Sequence, residues 1–340
     1  MFIFAKSKYK QGNIMSRISV NFAGLELNSP IIVGSCSQTA SISKIQEFES
    51  AGAGAVVLKS LFEESITREV AAHGSTLEEH PEAYDYIAGY LSDKVVTDYL
   101  DLIREAKGKV NIPIIASIAC HTDGKWEEFA KQIEEAGADA LELNVMSLCT
   151  RKSYTPGDFE RTHESIVSNV AGKINIPIIV KIGANISNPV ALADSLYARG
   201  AKAVVLFNRF YPTDIDIDKM SFTMSNPFTS SSDLSQSIRW TGIISASVPQ
   251  LPIAVSGGVE SWKEVIKSIL SGAAAVEVVS SVMKNGAKWI KETNEALAAW
   301  QKEKGYGSIN EYKGKMNASD PDHADRLMRT QFLKYFSEVH

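Results

Sequence analysis

The sequence lacks the features that mark nucleic-acid-binding, membrane-spanning and secreted proteins. Its 35 Lys and Arg face 40 Asp and Glu, and a net charge of −5 provides no basic surface for a polyanion. The apolar runs are far shorter than the roughly 20 residues that a spanning helix requires. The first ten residues carry their charges after their apolar residues, the reverse of a secretory signal. We therefore expect a soluble, cytoplasmic protein that binds neither nucleic acid nor a membrane.

Cysteine is scarce, and no metal-binding motif is present. Cys36, Cys120 and Cys149 lie far apart with no C-x-x-C pair, which argues against a disulfide framework and a zinc knuckle. The six histidines show no ligand spacing. Cys36 and Cys120 fit small buried side chains better than reactive thiols.

Two short patterns alternate along the chain and occur four times each. One is Gly-Ala-x-Ala before an apolar run, at 52–58, 137–143, 200–206 and 272–278. The other is a proline that opens a β-branched run, at 30–33, 113–116, 177–180 and 252–255. Short Val- and Ile-rich runs suit parallel strands buried on both faces, and proline is tolerated at a strand's first residue. The sequence therefore predicts eight parallel strands.

Segments with apolar residues at helical spacing separate these strands. Examples are 43–50, 125–135, 189–199 and 262–270, and Ser41, Asp123 and Ser261 suit helix N-caps. Eight alternations of strand and helix predict an α/β fold, a closed (β/α)8 or TIM barrel. A doubly wound open sheet is the alternative, but its G-x-G-x-x-G fingerprint is missing after the first strand.

Two connections, residues 61–110 and 209–250, are too long for plain crossovers. The second contains alternating runs at 215–217 and 222–224 that predict a small hairpin between strands 6 and 7. Residues 322–340 are predicted as an amphipathic helix that docks on the barrel or on a second subunit. We expect an N-terminal extension over 1–15, a barrel over 16–315 and a C-terminal helical tail over 316–340.

Polar residues follow the predicted strands at their carboxyl ends, where this fold builds its active sites. In strand order they are Gly34, Ser35 and Cys36; Lys59 and Ser60; Ser117; Asn144; Lys181; Asn208 and Arg209; Ser256, Gly257 and Gly258; Ser280 and Ser281. Gly257 and Gly258 leave backbone N–H groups for a phosphate, although paired glycines also make simple tight turns. Their place after strand 7 favours a phosphorylated ligand.

Two lysines and two asparagines are predicted at the same mouth. Lys59 and Lys181 follow apolar strands, where a single ammonium group most often forms a structural ion pair. Asn144 and Asn208 follow strands 4 and 6, although a lone asparagine most often satisfies loop backbone. Taken together, the four residues indicate a site for a polar, electron-rich ring.

The chain resembles the FMN-dependent dihydroorotate dehydrogenases, in particular a bacterial branch called dihydroorotate dehydrogenase-like. The resemblance spans residues 20–312 and rests on NSPIIVGS at 28–35, VLKS at 57–60, ELN at 142–144, VKI at 180–182, LFNRFY at 206–211, SGG at 256–258 and the segment 272–281. It implies a flavoprotein oxidoreductase of pyrimidine biosynthesis, with FMN as cofactor. The substrate would be dihydroorotate or a related small cyclic compound, and analogy suggests a homodimer.

The resemblance also implies a role for each residue at the mouth. FMN contacts would come from Gly34, Ser35, Lys59, Ser60, Asn144, Lys181, Ser256, Gly257, Gly258, Val279 and Ser280. Lys59 would also take part in catalysis, and Lys181 would stabilise charge that develops at the N1 and O2 side of the ring on reduction. Asn144 would contact both ring and substrate. Asn208 and Arg209 would bind the substrate.

The family's catalytic base is a Cys or Ser three residues beyond the strand-4 asparagine. Spacing favours Ser147, while Cys149 lies near Arg151 and Lys152, whose charges favour a thiolate. Both stay candidates, because the usual Pro-Asn after the base is absent. The Asn-rich orotate-binding motif is also replaced, by GSTLEEHPEAY at 74–84, whose acidic residues would repel a carboxylate unless Arg209 compensates.

Two other functions are compatible with the same residues. Schiff-base aldolases and lyases also combine an interior lysine with a phosphate site, so a lyase acting on a phosphorylated substrate is one alternative. The other is a flavin-binding barrel that has no catalytic activity.

Overall fold

The computed structural model describes residues 18–62, 81–120, 126–146, 148–150, 152–210 and 212–330, with the backbone alone for 81–93 and 120. Several sequence predictions lie outside these residues. They are the extension at 1–15, the segment 74–80, the N-cap at Asp123, the candidate base Ser147, its neighbour Arg151 and the last ten residues of the tail.

The strands in the described part of the chain are short, two to seven residues each. They are β1 (Val20–Phe22), β2 (Leu25–Leu27), β3 (Ile31–Val33), β4 (Ala55–Val57), β5 (Leu61–Phe62), β6 (Ile114–Cys120), β7 (Ala140–Val145), β8 (Ile178–Gly183), β9 (Ala203–Asn208), β10 (Thr213–Asp216), β11 (Ser221–Met224), β12 (Ile253–Ser256) and β13 (Ala275–Val278).

Eight of these strands close into a parallel barrel, which confirms the predicted fold. The ring runs β3, β4, β6, β7, β8, β9, β12, β13 and back to β3. We number these eight as barrel strands 1 to 8. The antiparallel hairpin of β1 and β2 precedes the barrel, and β5 adds a short pairing to the end of β6.

The two repeated patterns have a direct structural basis. The four prolines stand one residue before barrel strands 1, 3, 5 and 7, and each accepts a hydrogen bond through its carbonyl from the neighbouring strand, at 2.8–3.1 Å. Gly52, Gly137, Gly200 and Gly272 open the other pattern with φ between +89° and +120°. Such backbone favours glycine, and here it turns the chain from a helix into the next strand.

Helices connect the barrel strands and cover the barrel. They are α1 (Ile42–Ser50), α2 (Pro81–Lys109), α3 (Trp126–Glu135), α4 (Asp158–Ala171), α5 (Pro189–Ala198), α6 (Leu234–Ser247), α7 (Trp262–Ser271), α8 (Ser280–Asn285), α9 (Lys288–Glu303) and α10 (Pro321–Met328). Ser261 caps α7 together with Glu264, as predicted. Ser41 holds the N-cap position of α1 without a side-chain bond to the helix. None of the described helices is long and apolar enough to span a membrane.

The long connection between barrel strands 6 and 7 contains the predicted hairpin. β10 and β11 pair antiparallel, with Ile215 opposite Phe222, and both of these side chains are exposed. In the tail, α10 lies on α6, where the Leu327 side chain approaches Gly242 and the Ala318 N–H donates to the Gly242 carbonyl at 3.0 Å.

Candidate functional site

The carboxyl ends of the barrel strands open into two adjoining cavities of about 220 and 260 Å³. Ser35, Lys181, Asn208 and Arg209 line both of them. The first, the glycine cavity, is completed by Phe207, Pro227, Thr229, Ser256, Gly257, Gly258, Val259, Glu277, Val278, Val279 and Ser280. The second, the asparagine cavity, is completed by Ser60, Phe62, Ala119, Glu142, Asn144 and Met146. Together they have the size of a small-molecule site, for which roughly 300–1,000 Å³ is typical.

The glycine cavity has a floor of bare backbone after barrel strand 7. Gly257 and Gly258 both have positive φ, +86° and +75°. A Cβ at Gly258 would lie 2.5 Å from the Leu234 backbone nitrogen, so the position excludes any side chain. Thr229 closes one side, with its N–H and hydroxyl 3.0 and 3.1 Å from Ser280 Oγ. This floor offers hydrogen-bond donors to an anionic group.

Lys181 forms the wall between the cavities and is buried with two carboxyl groups. Its ammonium pairs with Glu277, and the two side chains are 9% and 1% exposed. Burial alone would lower the pKa of Lys181, but the attraction of Glu277 and Glu142 outweighs burial and raises it. Lys181 therefore carries its positive charge at neutral pH.

Glu142 is the second buried carboxyl group of this wall. Burial, followed by repulsion from Glu277, raises its pKa well above the ordinary value, and the attraction of Lys181 does not compensate. Glu142 is also hydrogen-bonded to Glu277. Glu142 therefore keeps its proton to a higher pH than an exposed carboxyl group does, and in that form it can donate to Glu277.

A chain of three serine hydroxyls connects the mouth to Glu142. Ser35 Oγ lies 2.9 Å from Ser60 Oγ, which lies 2.8 Å from Ser117 Oγ. Ser117 Oγ donates to Glu142 Oε1 at 3.4 Å. The buried Tyr99 hydroxyl accepts from the Ser117 N–H at 2.7 Å and donates to the Ser117 carbonyl at 3.1 Å, which fixes this end of the chain.

The two asparagines predicted at the mouth lie in contact. Asn208 Nδ2 donates to Asn144 Oδ1 at 2.7 Å, and Asn208 Oδ1 accepts from the Arg209 backbone N–H at 2.8 Å. The Arg209 guanidinium donates to the carbonyls of Asn226 and Pro227 at 3.2 and 3.3 Å. Arg209 thereby places a cation at the rim of both cavities.

Three predicted site residues, Gly34, Lys59 and Cys149, line neither cavity, and a fourth, Ser147, is not described by the structure. Lys59 is exposed and does not belong to the lining of either cavity. Cys149 is exposed and lines neither cavity. Ser147 lies outside the described residues, although its neighbour Met146 lines the asparagine cavity.

Three polar residues of the site, Glu142, Glu277 and Thr229, were not predicted from the sequence. Glu142 and Glu277 each lie within a buried strand that is mostly apolar, and a charged residue in such a strand is a signal that could have found them. Thr229 reaches the glycine cavity from the long connection between barrel strands 6 and 7, where no periodicity indicates its position.

The chain matches known proteins over most of its length. A family model described as dihydroorotate dehydrogenase matches residues 91–300. The dihydroorotate dehydrogenase B (NAD(+)) catalytic subunit of Thermoplasma volcanium is 28% identical over 88% of this chain and 98% of its own length. The proteins of the same name from Methanosarcina mazei and Thermococcus kodakarensis are 27% and 25% identical, over 90% and 88% of this chain and 98% of their own lengths. With a family-model match that covers more than half of its residues, the chain belongs to the dihydroorotate dehydrogenase family.

Proposed function

We propose that the protein is a dihydroorotate dehydrogenase that oxidises dihydroorotate to orotate, with FMN held across the two cavities. The observation that carries this proposal is the shared wall: the buried, positively charged Lys181 lines both the glycine cavity and the asparagine cavity. One cavity suits a phosphate group, and the other suits a ring that carries polar edges.

The residues present fit a flavin mononucleotide. Gly257 and Gly258 supply backbone donors where a Cβ at Gly258 would be excluded, which suits the terminal phosphate. Ser256, Val279 and Ser280 line the same cavity, and Ser35 and Ser60 line the asparagine cavity. Gly34 lies behind this lining, against Glu277. A bound flavin supplies the acceptor for the hydride that leaves the substrate.

The chain's own residues would bind and orient the substrate. The Asn144 and Asn208 amides can hydrogen-bond to the polar edge of a dihydropyrimidine ring, and their mutual bond holds them in register. Arg209 offers a positive charge to the carboxylate of dihydroorotate. Lys181 stabilises negative charge that develops at the adjacent ring edge.

The proton that leaves the substrate needs an acceptor in the loop after barrel strand 4. Ser147 Oγ and Cys149 Sγ are the two candidates. Ser147 is favoured by its place next to Met146, which lines the asparagine cavity, whereas Cys149 is exposed and outside both cavities. We assign the role to Ser147, with Cys149 as the alternative.

The electrons must leave the flavin to an acceptor. The relatives are named catalytic subunits of an NAD(+) enzyme. We therefore propose that a partner subunit receives the electrons and passes them to NAD⁺, while a homodimer of this chain remains compatible. In the absence of a partner subunit, a soluble acceptor such as fumarate would take the electrons directly from the flavin.

The geometry disfavours a Schiff-base lyase. A lysine that attacks a carbonyl must first lose its proton, and Lys181 is held as an ammonium ion by Glu277 and Glu142. Lys59 is exposed and lines neither cavity. Borohydride in the presence of a phosphorylated carbonyl compound should therefore trap no adduct on either lysine.

An anaerobic absorbance titration tests the proposed function. The protein reconstituted with FMN is titrated with dihydroorotate while the oxidised flavin band is followed. We expect the band to bleach stoichiometrically and to return on admission of an oxidant. A protein that stays colourless after incubation with FMN would contradict the cofactor assignment. A yellow protein that dihydroorotate does not bleach, but dithionite does, would contradict the substrate assignment.

A further inference from the structure

Three ionisable side chains from three barrel strands meet in the barrel interior, and each of them lines at least one of the two cavities. Glu142 comes from strand 4, Lys181 from strand 5 and Glu277 from strand 8, on the far side of the ring from strand 4. All three are buried. We call them the Glu–Lys–Glu cluster. Interior positions of such barrels are usually filled by branched apolar side chains, so this cluster requires a reason of its own.

The cluster contains two carboxyl groups for one ammonium group, and burial demands that the charges balance. An unpaired buried charge is costly, whereas a pair with additional hydrogen bonds is tolerated. Glu277 has the ion pair with Lys181, and Glu142 has Ser117 and Glu277 as partners. The cluster is neutral when Glu142 holds one proton, Glu277 is ionised and Lys181 is charged.

The absence of a side chain at Gly34 leaves space for the Glu277 carboxylate. A Cβ at Gly34 would lie 2.6 Å from Glu277 Oε1 and 3.0 Å from its Cγ. Gly34 directly follows barrel strand 1, which pairs with the strand that carries Glu277, and the Gly34 N–H donates to the Val278 carbonyl at 2.9 Å. Glycine at this position therefore lets the carboxylate lie beside Lys181 at the border of the glycine cavity.

The Glu277 carboxylate changes the effect of Lys181 on the reduction potential of a bound flavin. A lone cation at the edge of a flavin stabilises the reduced, more negative ring more than the oxidised ring, which raises the reduction potential. An anion paired with that cation on the protein side offsets part of this effect. It also fixes the direction in which the flexible lysine side chain points.

We propose that Glu277 is a positioning residue that aims Lys181 and lowers the reduction potential of the bound flavin, and that Glu142 stores the proton that keeps the cluster neutral. This inference rests on the proposed function, because it requires a flavin against Lys181. It goes beyond that function in assigning roles to two carboxyl groups to which the proposed function gives none.

The decisive comparison uses two variants that share one background. In Glu142→Gln, a neutral amide replaces a neutral acid of the same shape. In Glu142→Gln/Glu277→Gln, the anion is also removed, and Glu142 cannot lose its proton to replace it. The single variant Glu277→Gln is the weaker test, because Glu142 beside the unpaired Lys181 ammonium would lose its proton to solvent and replace the missing anion.

The measurement is an anaerobic spectroelectrochemical titration of FMN on the holoprotein, with FMN affinity measured in parallel. For Glu142→Gln, we expect the ratio of affinities for reduced and oxidised FMN to stay within about threefold of the parent. For the double variant, we expect that ratio to rise at least tenfold, which corresponds to about +30 mV for a two-electron couple.

Each other outcome contradicts a separate part of the inference. A yellow double variant with the parental potential would show that Glu277 does not tune the flavin, while the proposed function would stand. An equal shift in Glu142→Gln would show that Glu142 carries charge. A parent protein that binds no FMN would overturn the proposed function together with this proposal.

A third variant covers the case in which the double variant does not fold. Lys181→Gln/Glu277→Gln removes both members of the ion pair at once. This variant replaces a neutral pair by neutral amides, so its ratio of affinities for reduced and oxidised FMN should stay within threefold of the parental ratio. Lys181→Gln/Glu142→Gln removes the cation and leaves the Glu277 carboxylate, so it should lower that ratio at least tenfold. Equal lowering in both variants would show that the lysine acts without an offsetting anion and would overturn the proposal.

Discussion

Asn208 donates a 2.7 Å hydrogen bond to Asn144 across the mouth of the barrel. The two residues stand at the ends of barrel strands 6 and 4, and the strand between them carries Lys181. The bond therefore orients two amides on either side of the lysine that borders both cavities. This arrangement is what the proposed ring-binding role of the asparagines requires.

Removal of the Asn208 amide should weaken substrate binding and turnover. In Asn208→Ala, a substrate contact is lost and the Asn144 amide is no longer held, at a cost of about 1–3 kcal/mol. This corresponds to a decrease of roughly 5- to 150-fold in kcat/KM for dihydroorotate. Asn111→Ala, an exposed residue before barrel strand 3, is the control and should retain the parental value. Parental kcat/KM in Asn208→Ala would contradict the role.

Replacement of the base should slow flavin reduction without loss of flavin. We expect Ser147→Ala to reduce the rate of flavin reduction by dihydroorotate about 100-fold or more, the usual scale for general-base catalysis. Cys149→Ala should reduce it much less, because Cys149 is exposed and lines neither cavity. Stopped-flow absorbance measures both rates. The opposite order would assign the base to Cys149, and parental rates in both would exclude this loop as the source of the base.

The raised pKa of Glu142 predicts a pH-dependent stability. The folded pKa of Glu142 lies above the value of 4.5 that applies when it is exposed, so the folded chain binds this proton more tightly than the unfolded chain. Its contribution is complete below pH 4.5 and is lost as the pH rises toward the folded pKa. Relative to the parent, Glu142→Gln should therefore gain stability above pH 4.5, by up to about 1.4 kcal/mol per pH unit.

Urea unfolding of the parent and Glu142→Gln between pH 4 and pH 8 measures this difference. The control is Glu128→Gln, at an exposed position of α3. The free energy of unfolding of Glu128→Gln, relative to the parent, should show no comparable rise between pH 4 and pH 8. A constant difference between Glu142→Gln and the parent over the whole range would show that Glu142 ionises as readily in the folded chain as in the unfolded one.

Glycine at position 34 should be essential for the cluster. In Gly34→Ala, the new Cβ meets Glu277 Oε1 at 2.6 Å and Val279 Cγ2 at 3.0 Å, so the carboxylate must leave Lys181 or the backbone must shift. We expect a loss of about 1–3 kcal/mol in the free energy of unfolding and weaker FMN binding.

Gly108→Ala is the matched control, because nothing lies within 4 Å of its Cβ and the residue is in α2. It should be neutral or stabilise by about 0.5–1 kcal/mol. Thermal unfolding and FMN fluorescence quenching measure both variants. A stable, FMN-binding Gly34→Ala would contradict the packing described around Glu277.

The barrel was predictable because its determinants are local. Each proline before a strand and each glycine after a helix acts within its own segment, so the two patterns alone reveal the alternation. The mouth residues Gly257, Gly258, Lys181, Asn144 and Asn208 were predictable for the same reason, since the fold places every strand's carboxyl end at one rim.

The Glu–Lys–Glu cluster was not predictable from local patterns, because it joins strands far apart in sequence. Glu142 and Glu277 meet only through barrel closure and register, which set which side chains enter the same interior layer. Lys59 shows the same limit. Its neighbour Ser60 is buried and bonded to Ser35 and Ser117, and adjacent residues of an extended segment point to opposite sides.

A crystal structure of the protein with FMN tests the central claim most directly. We expect the phosphate on the backbone N–H groups of Gly257 and Gly258, and the ring against Lys181 with Glu277 still paired to the lysine. FMN bound away from these residues, or a protein that forms crystals with excess FMN yet binds none at the mouth, would contradict it.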